Sequence, residues 1–192
     1  MKRVSLAVAL FSIAVSSACA RAPAVPPAQQ IPGLASASKV FTQTNLRPND
    51  KKGVLYATNY LQDGLIPVCS EVTLISLNAK VLVFKVNATG REYQYVNHKS
   101  ATEGFTGNLA KYFGPTCPRK DLDSLTKMER EQVRIGQVAP GMRRRAVTLA
   151  IGYPPSNKTP SLDGRDWRYW TNKVNSFIVV FGSNGKVERV QQ

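Results

Sequence analysis

β-branched and aromatic residues recur in short runs through the stretch from residue 54 to 96. Three such runs, at residues 72–77, 81–86 and 91–96, are divided by Asn78-Ala79-Lys80 and by Asn87-Ala88-Thr89-Gly90. Short Asn/Gly breaks between β-rich runs predict an antiparallel meander. Residues 54–61 predict one further strand, with Gly64 and Pro67 marking the bend after it. Strands this short are expected to curl into a small SH3-like barrel or half-barrel. At residue 105 the period lengthens. Phe105, Leu109, Tyr112 and Phe113 fall at helical spacing and predict one short helix, stopped by Gly114-Pro115.

The last third of the chain repeats the helical period and then returns to strands. Thr126-Lys127-Met128-Glu129 has the spacing of a capping box, predicting a helix that runs to Ile135 and ends at Gly136. Met142, Ala146, Leu149 and Ala150 form the stripe of a second helix, ended by Gly152 and Pro154-Pro155. Strands are expected at 166–171, 176–181 and 186–190, the last two joined by a turn at Ser183-Asn184-Gly185. The coarse order is α-α-β-β-β. Side chains alternate across a strand, so Trp167 and Tyr169 share one face, and Arg168 and Trp170 the other. In the next strand Phe177, Val179 and Phe181 oppose Ile178 and Val180. Both faces are therefore apolar, and two helices cover only one. Trp170, Ile178 and Val180 are expected to meet the N-terminal β unit or another protein.

Before residue 46 the pattern is of another kind. Met1-Lys2-Arg3, an apolar run at 4–15 and the small residues Ser16 to Ala20 make the three parts of an export signal. Ala18-Cys19-Ala20 fits the ordinary signal peptidase. Ser16-Ser17-Ala18-Cys19 also resembles a lipobox, with Ser16 where Leu is usual, and this would make Cys19 a lipidated N-terminus. The proline-rich stretch that follows reads as an extended tether. The expected organisation is a signal peptide at 1–20, a Pro/Ala-rich linker at 21–45, a β-rich unit with a short helix at 46–120, and an α-α-β-β-β unit at 121–192. The expected location is the periplasmic side of the envelope, lipid-anchored to the outer membrane, with a soluble periplasmic or secreted form as the alternative.

Charge and cysteines refine this. The formal net charge is +14, and removing the two charges of Lys2 and Arg3 leaves +12. In an exported chain such an excess meets anionic lipid headgroups and surface polymers, not nucleic acid. Beyond Cys19 there remain Cys69 and Cys117, an even pair that an oxidising compartment would join.

The last unit resembles the BamE-like (SmpA/OmlA) family of envelope lipoproteins. The residues that carry the resemblance are Ile135-Gly136, Gly141-Met142, Val147 and Gly152-Tyr153-Pro154, followed by Trp167-Arg168-Tyr169-Trp170, the run from Phe177 to Phe181, and Gly185-Lys186-Val187. They cover about residues 125–190, with Arg143 standing where the family has Thr or Ser. The resemblance implies two helices packed on a three-stranded antiparallel sheet, together with an accessory role in an envelope complex such as the β-barrel assembly machinery.

Candidate functional residues are few. Arg143, Arg144 and Arg145 open a helix, where cations oppose the helix dipole. That cost points to an anionic partner such as lipid headgroups or an acidic protein surface. Tyr153, Trp167, Tyr169, Trp170, Ile178 and Val180 are the apolar candidates for partner contact. His98 is the only histidine, which excludes a His-rich metal site, and it is expected in a loop near a strand end. No Gly-x-Ser-x-Gly elbow or phosphate-binding glycine loop occurs. No catalytic residue, metal or cofactor is expected. The reading is a non-catalytic envelope accessory or scaffold protein, possible alternatives being a cell-wall or peptide-binding module and an exported inhibitor.

Overall fold

The structure is a computed structural model and describes residues 25–99 and 104–192. The export signal and Cys19 lie outside the described residues. Five helices and nine strands are described: α1 Pro27–Gln30, β1 Val40–Thr42, β2 Val54–Tyr56, β3 Glu71–Leu77, β4 Val81–Val86, β5 Glu92–Val96, α2 Phe105–Tyr112, β6 Phe113–Gly114, α3 Arg119–Asp123, α4 Lys127–Ile135, α5 Arg144–Ile151, β7 Asp166–Trp170, β8 Ser176–Phe181 and β9 Val187–Gln191. The class is α+β. A curled six-stranded sheet has the order β2-β5-β4-β3-β1-β6, and a three-stranded sheet has the order β7-β8-β9. No described helix is long and apolar enough to cross a membrane.

The meander β3-β4-β5 forms where the β-rich runs stand. Leu82, Phe84 and Val86 bury one face of β4, and Tyr93 and Tyr95 do the same in β5, between exposed Glu92 and Gln94. Asn78 sets the first turn, its Oδ1 accepting from the N–H of Lys80 at 2.8 Å and of Val81 at 3.0 Å. Two features depart from an antiparallel SH3-like unit. β2 is only three residues long and runs parallel to β5, pairing Val54 with Gln94 and Tyr56 with Val96. The expected strand to residue 61 stops because Asn59 adopts a left-handed φ of 51°. Gly114 does not simply end a helix either: after Tyr112 the chain extends into β6, which pairs with β1.

The linker expected at 21–45 is corrected by the structure over its described residues. Ile31 and Leu34 are 1% and 0% exposed, β1 joins the sheet, and Thr42, Thr44 and Asn45 are buried. Ile31 and Leu34 anchor this proline-rich segment on the first core, each fully buried side chain contributing about 1.5–3 kcal/mol, with Ala28, Ala37 and Val40 packed beside them. Cys69 and Cys117 form the expected disulfide, with Cα atoms 4.8 Å apart.

In the last third, the capping box is complete. Thr126 accepts from the Glu129 N–H and Glu129 accepts from the Thr126 N–H, while Gly136 closes α4 at φ 65°. A short helix not read from the pattern, α3, precedes it. The inner face of the three-stranded sheet carries Trp167, Tyr169, Val179 and Phe181 into a second core with Val147, Leu149 and Ile151 of α5.

The outer face is partly covered within the chain, with Trp170 and Ile178 half-buried. Val180 is 2% exposed and stands between Asp166 and Arg189 in the register, and Ile178 stands between Arg168 and Gln191. Trp170 meets the N-terminal unit: Tyr60 bridges it in parallel, and the Leu61 N–H donates to its carbonyl at 2.9 Å.

Asparagines join the two cores. Asn45 Nδ2 donates to Val133 O at 2.6 Å and Ala150 O at 3.0 Å, while its Oδ1 accepts from the Val68 N–H at 2.7 Å. Asn59 Nδ2 donates to Ile151 O and Tyr153 O, both at 2.8 Å. Arg47 adds a bond to Gly136 O at 3.1 Å. The last carbonyls of α4 and α5 have no partner within their own helices, so the N-terminal unit supplies donors for both ends.

Candidate binding cleft

The left-handed turn at Asn59 positions the cleft. Ala57 leaves β2 still hydrogen-bonded to Val96 O, and Asn59 is then fixed by the carbonyls after α5. Thr58 is thereby buried, at 4% exposure, and Tyr60 is carried beside the end of β7. His98 lies two residues past Val96, the partner of Tyr56. Tyr56, Tyr60 and His98 consequently meet edge-on, with centroids 5.6, 6.1 and 5.8 Å apart.

Opposite this cluster stand Trp170 and two loops. In the turn after β7, Asn172 Oδ1 accepts from the N–H groups of Val174 and Asn175, both at 2.8 Å, and the turn presents Lys173. In the loop after α5, Pro155 O accepts from the N–H groups of Lys158 and Thr159 at 3.0 Å, which places Asn157 and Lys158 on the rim. The space between is an open hollow of about 240 Å³. A second hollow of about 330 Å³ continues from it, sharing Tyr60, His98 and Lys173 and reaching Tyr56 and Gln62.

Three properties define its chemistry. Its walls are aromatic. Its charged lining residues, among those described, are lysines, with no carboxylate facing them. Burial, followed by the charges of Lys99 and Lys173, holds His98 below its ordinary pKa and so favours the neutral ring. Finally, the Thr58 hydroxyl is buried and has no hydrogen-bond partner among the described residues. An unpaired buried hydroxyl costs about 1–3 kcal/mol, and Thr58 is among the residues that line the hollow.

The sequence candidates distribute differently from expectation. The dipole cost of the arginine triplet is met inside the chain. Arg143 caps α5 and pairs with the buried carboxylate of Glu129, Nη2 to Oε2 at 2.6 Å and Nε to Oε1 at 2.9 Å. Arg144 lies 4.2 Å from the ring centre of Phe181 and 5.5 Å from that of Trp167, and donates to the carbonyls of Leu162 at 2.9 Å and Gly164 at 2.7 Å. Arg145 pairs with Asp121 at 2.6 Å.

Trp167 and Tyr169 are core residues, 1% and 0% exposed, with Tyr169 Oη donating to Gly152 O at 3.0 Å. A partner cannot touch them on the folded chain. Tyr153 packs edge-on against Tyr112 at 5.8 Å, beneath Lys111. Of the aromatic candidates, only Trp170 lines the cleft. Sequence reasoning missed Tyr56, Thr58, Tyr60, Lys158 and Lys173. The cue available was the Tyr56/Tyr60 pair flanking Thr58 within one short segment.

The chain matches no family model, no curated protein and no solved structure. Its role is accordingly read from its own residues.

Proposed function

We propose that this chain is a non-catalytic protein of the cell envelope, an accessory or scaffold that works by binding through the cleft between its two sheets. The observation that carries the reading is the cleft itself, with aromatic side chains in its walls, lysines on the rim and a buried hydroxyl left without a partner among the described residues. The residues at 1–20 support export, and the resemblance of residues 125–190 to the BamE-like family supports attachment to an envelope complex such as the β-barrel assembly machinery. Lipidation at Cys19 would hold the body at the periplasmic face of the outer membrane. The arginine triplet is engaged internally, so the excess of lysines elsewhere is the better candidate for contact with anionic headgroups.

A second reading, a binding module for cell wall or peptide, draws on the same cleft, since part of its wall comes from the end of the β2–β5 pair. The test is photo-crosslinking in intact envelopes with a benzophenone side chain in place of Lys173, compared with one in place of exposed Lys127 on α4. Recovery of an outer-membrane protein complex from position 173 alone supports the first reading, and recovery of cell-wall fragments supports the second. Equal recovery from both positions, or none from 173, refutes a working cleft.

A further inference from the structure

The cleft specifies its ligand more narrowly than a basic surface does, and the inference rests on the reading of the cleft as the working surface. The hollow beside Thr58, about 240 Å³, is smaller than the roughly 300–1,000 Å³ of sites that enclose drug-sized ligands. One ring-sized group fits. The adjoining hollow of about 330 Å³ shares Tyr60, His98 and Lys173 with it. Two small neighbouring compartments suit one or two linked rings better than a folded peptide element.

The lining is mixed in the way a sugar requires. The C–H face of a pyranose packs on aromatic side chains such as Tyr60 and Trp170. Its hydroxyls need polar partners, and Asn157 and the unpaired Thr58 hydroxyl are available within the lining. Lys158 and Lys173 supply two ammonium groups with no lining carboxylate among the described residues to neutralise them, so the sugar should carry a negative charge. A carboxylate fits two point-charge ammonium groups. Arginine forks serve carboxylate and phosphate alike; a helix N-terminus, the other common phosphate cradle, is not among the lining residues, and AMP in the titration below decides between the two anions. His98, held toward its neutral form, adds a further ring to the wall.

We propose that this cleft binds a carboxylate-bearing sugar, with the ring against Tyr60 and Trp170, the carboxylate between Lys158 and Lys173, and one hydroxyl paired with Thr58. Two sources share this chemistry: the lactyl-ether sugar of cell-wall glycan and the uronic acids of surface polysaccharides.

The experiment titrates the purified full chain with N-acetylmuramate and with glucuronate, using N-acetylglucosamine and glucose as neutral counterparts, and follows the two tryptophan indole N–H resonances. The Trp170 resonance should shift with the acidic sugars while that of Trp167, sealed in the core, stays in place. The acid that binds more tightly identifies the source. Lys158→Gln combined with Lys173→Gln changes only exposed rim positions and should abolish the preference for acidic over neutral sugars. Thr58→Val keeps the shape of the side chain and removes the unpaired hydroxyl. It should leave the thermal midpoint unchanged or raised while weakening sugar binding about five-fold, the worth of one hydrogen bond.

Equal affinity for neutral and acidic sugars, an equal Trp170 shift with an acidic dipeptide or with AMP, or no shift up to saturating sugar would each overturn the proposal. If the sugars fail while crosslinks from position 173 persist, the ligand class falls and the envelope-binding reading stands.

Discussion

Glu129 allows a quantitative test of how the last third is held together. Its side chain is 1% exposed and accepts four short bonds: from the Thr126 N–H at 3.0 Å, the Arg143 N–H at 2.9 Å, and Arg143 Nε and Nη2 at 2.9 and 2.6 Å. The hydrogen bonds from the Arg143 side chain, chiefly, hold its pKa down from 4.5 to about 2 against the opposing effect of burial. Moving a carboxyl that far corresponds to roughly 3 kcal/mol by linkage. Water around Arg143, whose side chain is 44% exposed, screens the pair and reduces this to about 2 kcal/mol. Because the folded-state pKa is depressed, the contribution is fully present above about 4.5 and is lost as pH falls toward about 2. Glu129→Gln keeps the shape and removes the charge. Urea unfolding of both proteins across pH 2–7 should show a penalty of about 2 kcal/mol at neutral pH that shrinks steadily through the acid range. A penalty independent of pH, or one below about 0.5 kcal/mol at neutral pH, the size of an ordinary surface change, would refute the reasoning.

Three further outcomes are expected. Asn45→Ala orphans the carbonyl of Ala150 and the N–H of Val68, while Val133 O keeps the Gly136 N–H, so stability should fall by about 2–6 kcal/mol at 1–3 kcal/mol per group; near-ultraviolet circular dichroism should show both cores melting in one transition, and two separated transitions would contradict the coupling. Reducing Cys69–Cys117, which spans 48 positions, should cost about 4 kcal/mol on chain-entropy grounds, read as a lowered thermal midpoint in dithiothreitol. Gly152 sits at φ 77° and ψ −171°, and a Cβ there would stand 2.9 Å from Asn59 Nδ2 and 3.2 Å from Tyr112 Cε1; Gly152→Ala should cost at least about 1–3 kcal/mol, and an unchanged urea midpoint would rule that strain out.

What could be read from the chain was local. β3, β4 and β5 stand where β-rich runs alternate with Asn/Gly turns, and the ends of α4 are written in Thr126, Glu129 and Gly136. What could not be read depended on distant partners. The 27–45 segment looked like a tether because proline frequency is visible, whereas the cavities that accept Ile31 and Leu34 are made by other strands. The arginine triplet looked costly because Glu129 lies 14 residues away and Asp121 lies 24 away, and neither pairing has a local signature. The cleft was least legible, being assembled from Thr58 and Tyr60, His98, the loop at 155–158 and the turn at 170–173.

The bond from Asn45 to the carbonyl of Ala150 joins positions 105 apart. A polypeptide is made from its N-terminus, and at about 5–20 residues per second the acceptor follows the donor by several seconds. Once β6 is made at Gly114, the first sheet has its strands but lacks the clasp that anchors its loops until Ala150 follows. Completion therefore waits on the last third of the chain, and a product cut short before α5 should be left for proteases rather than persist as a half-size module.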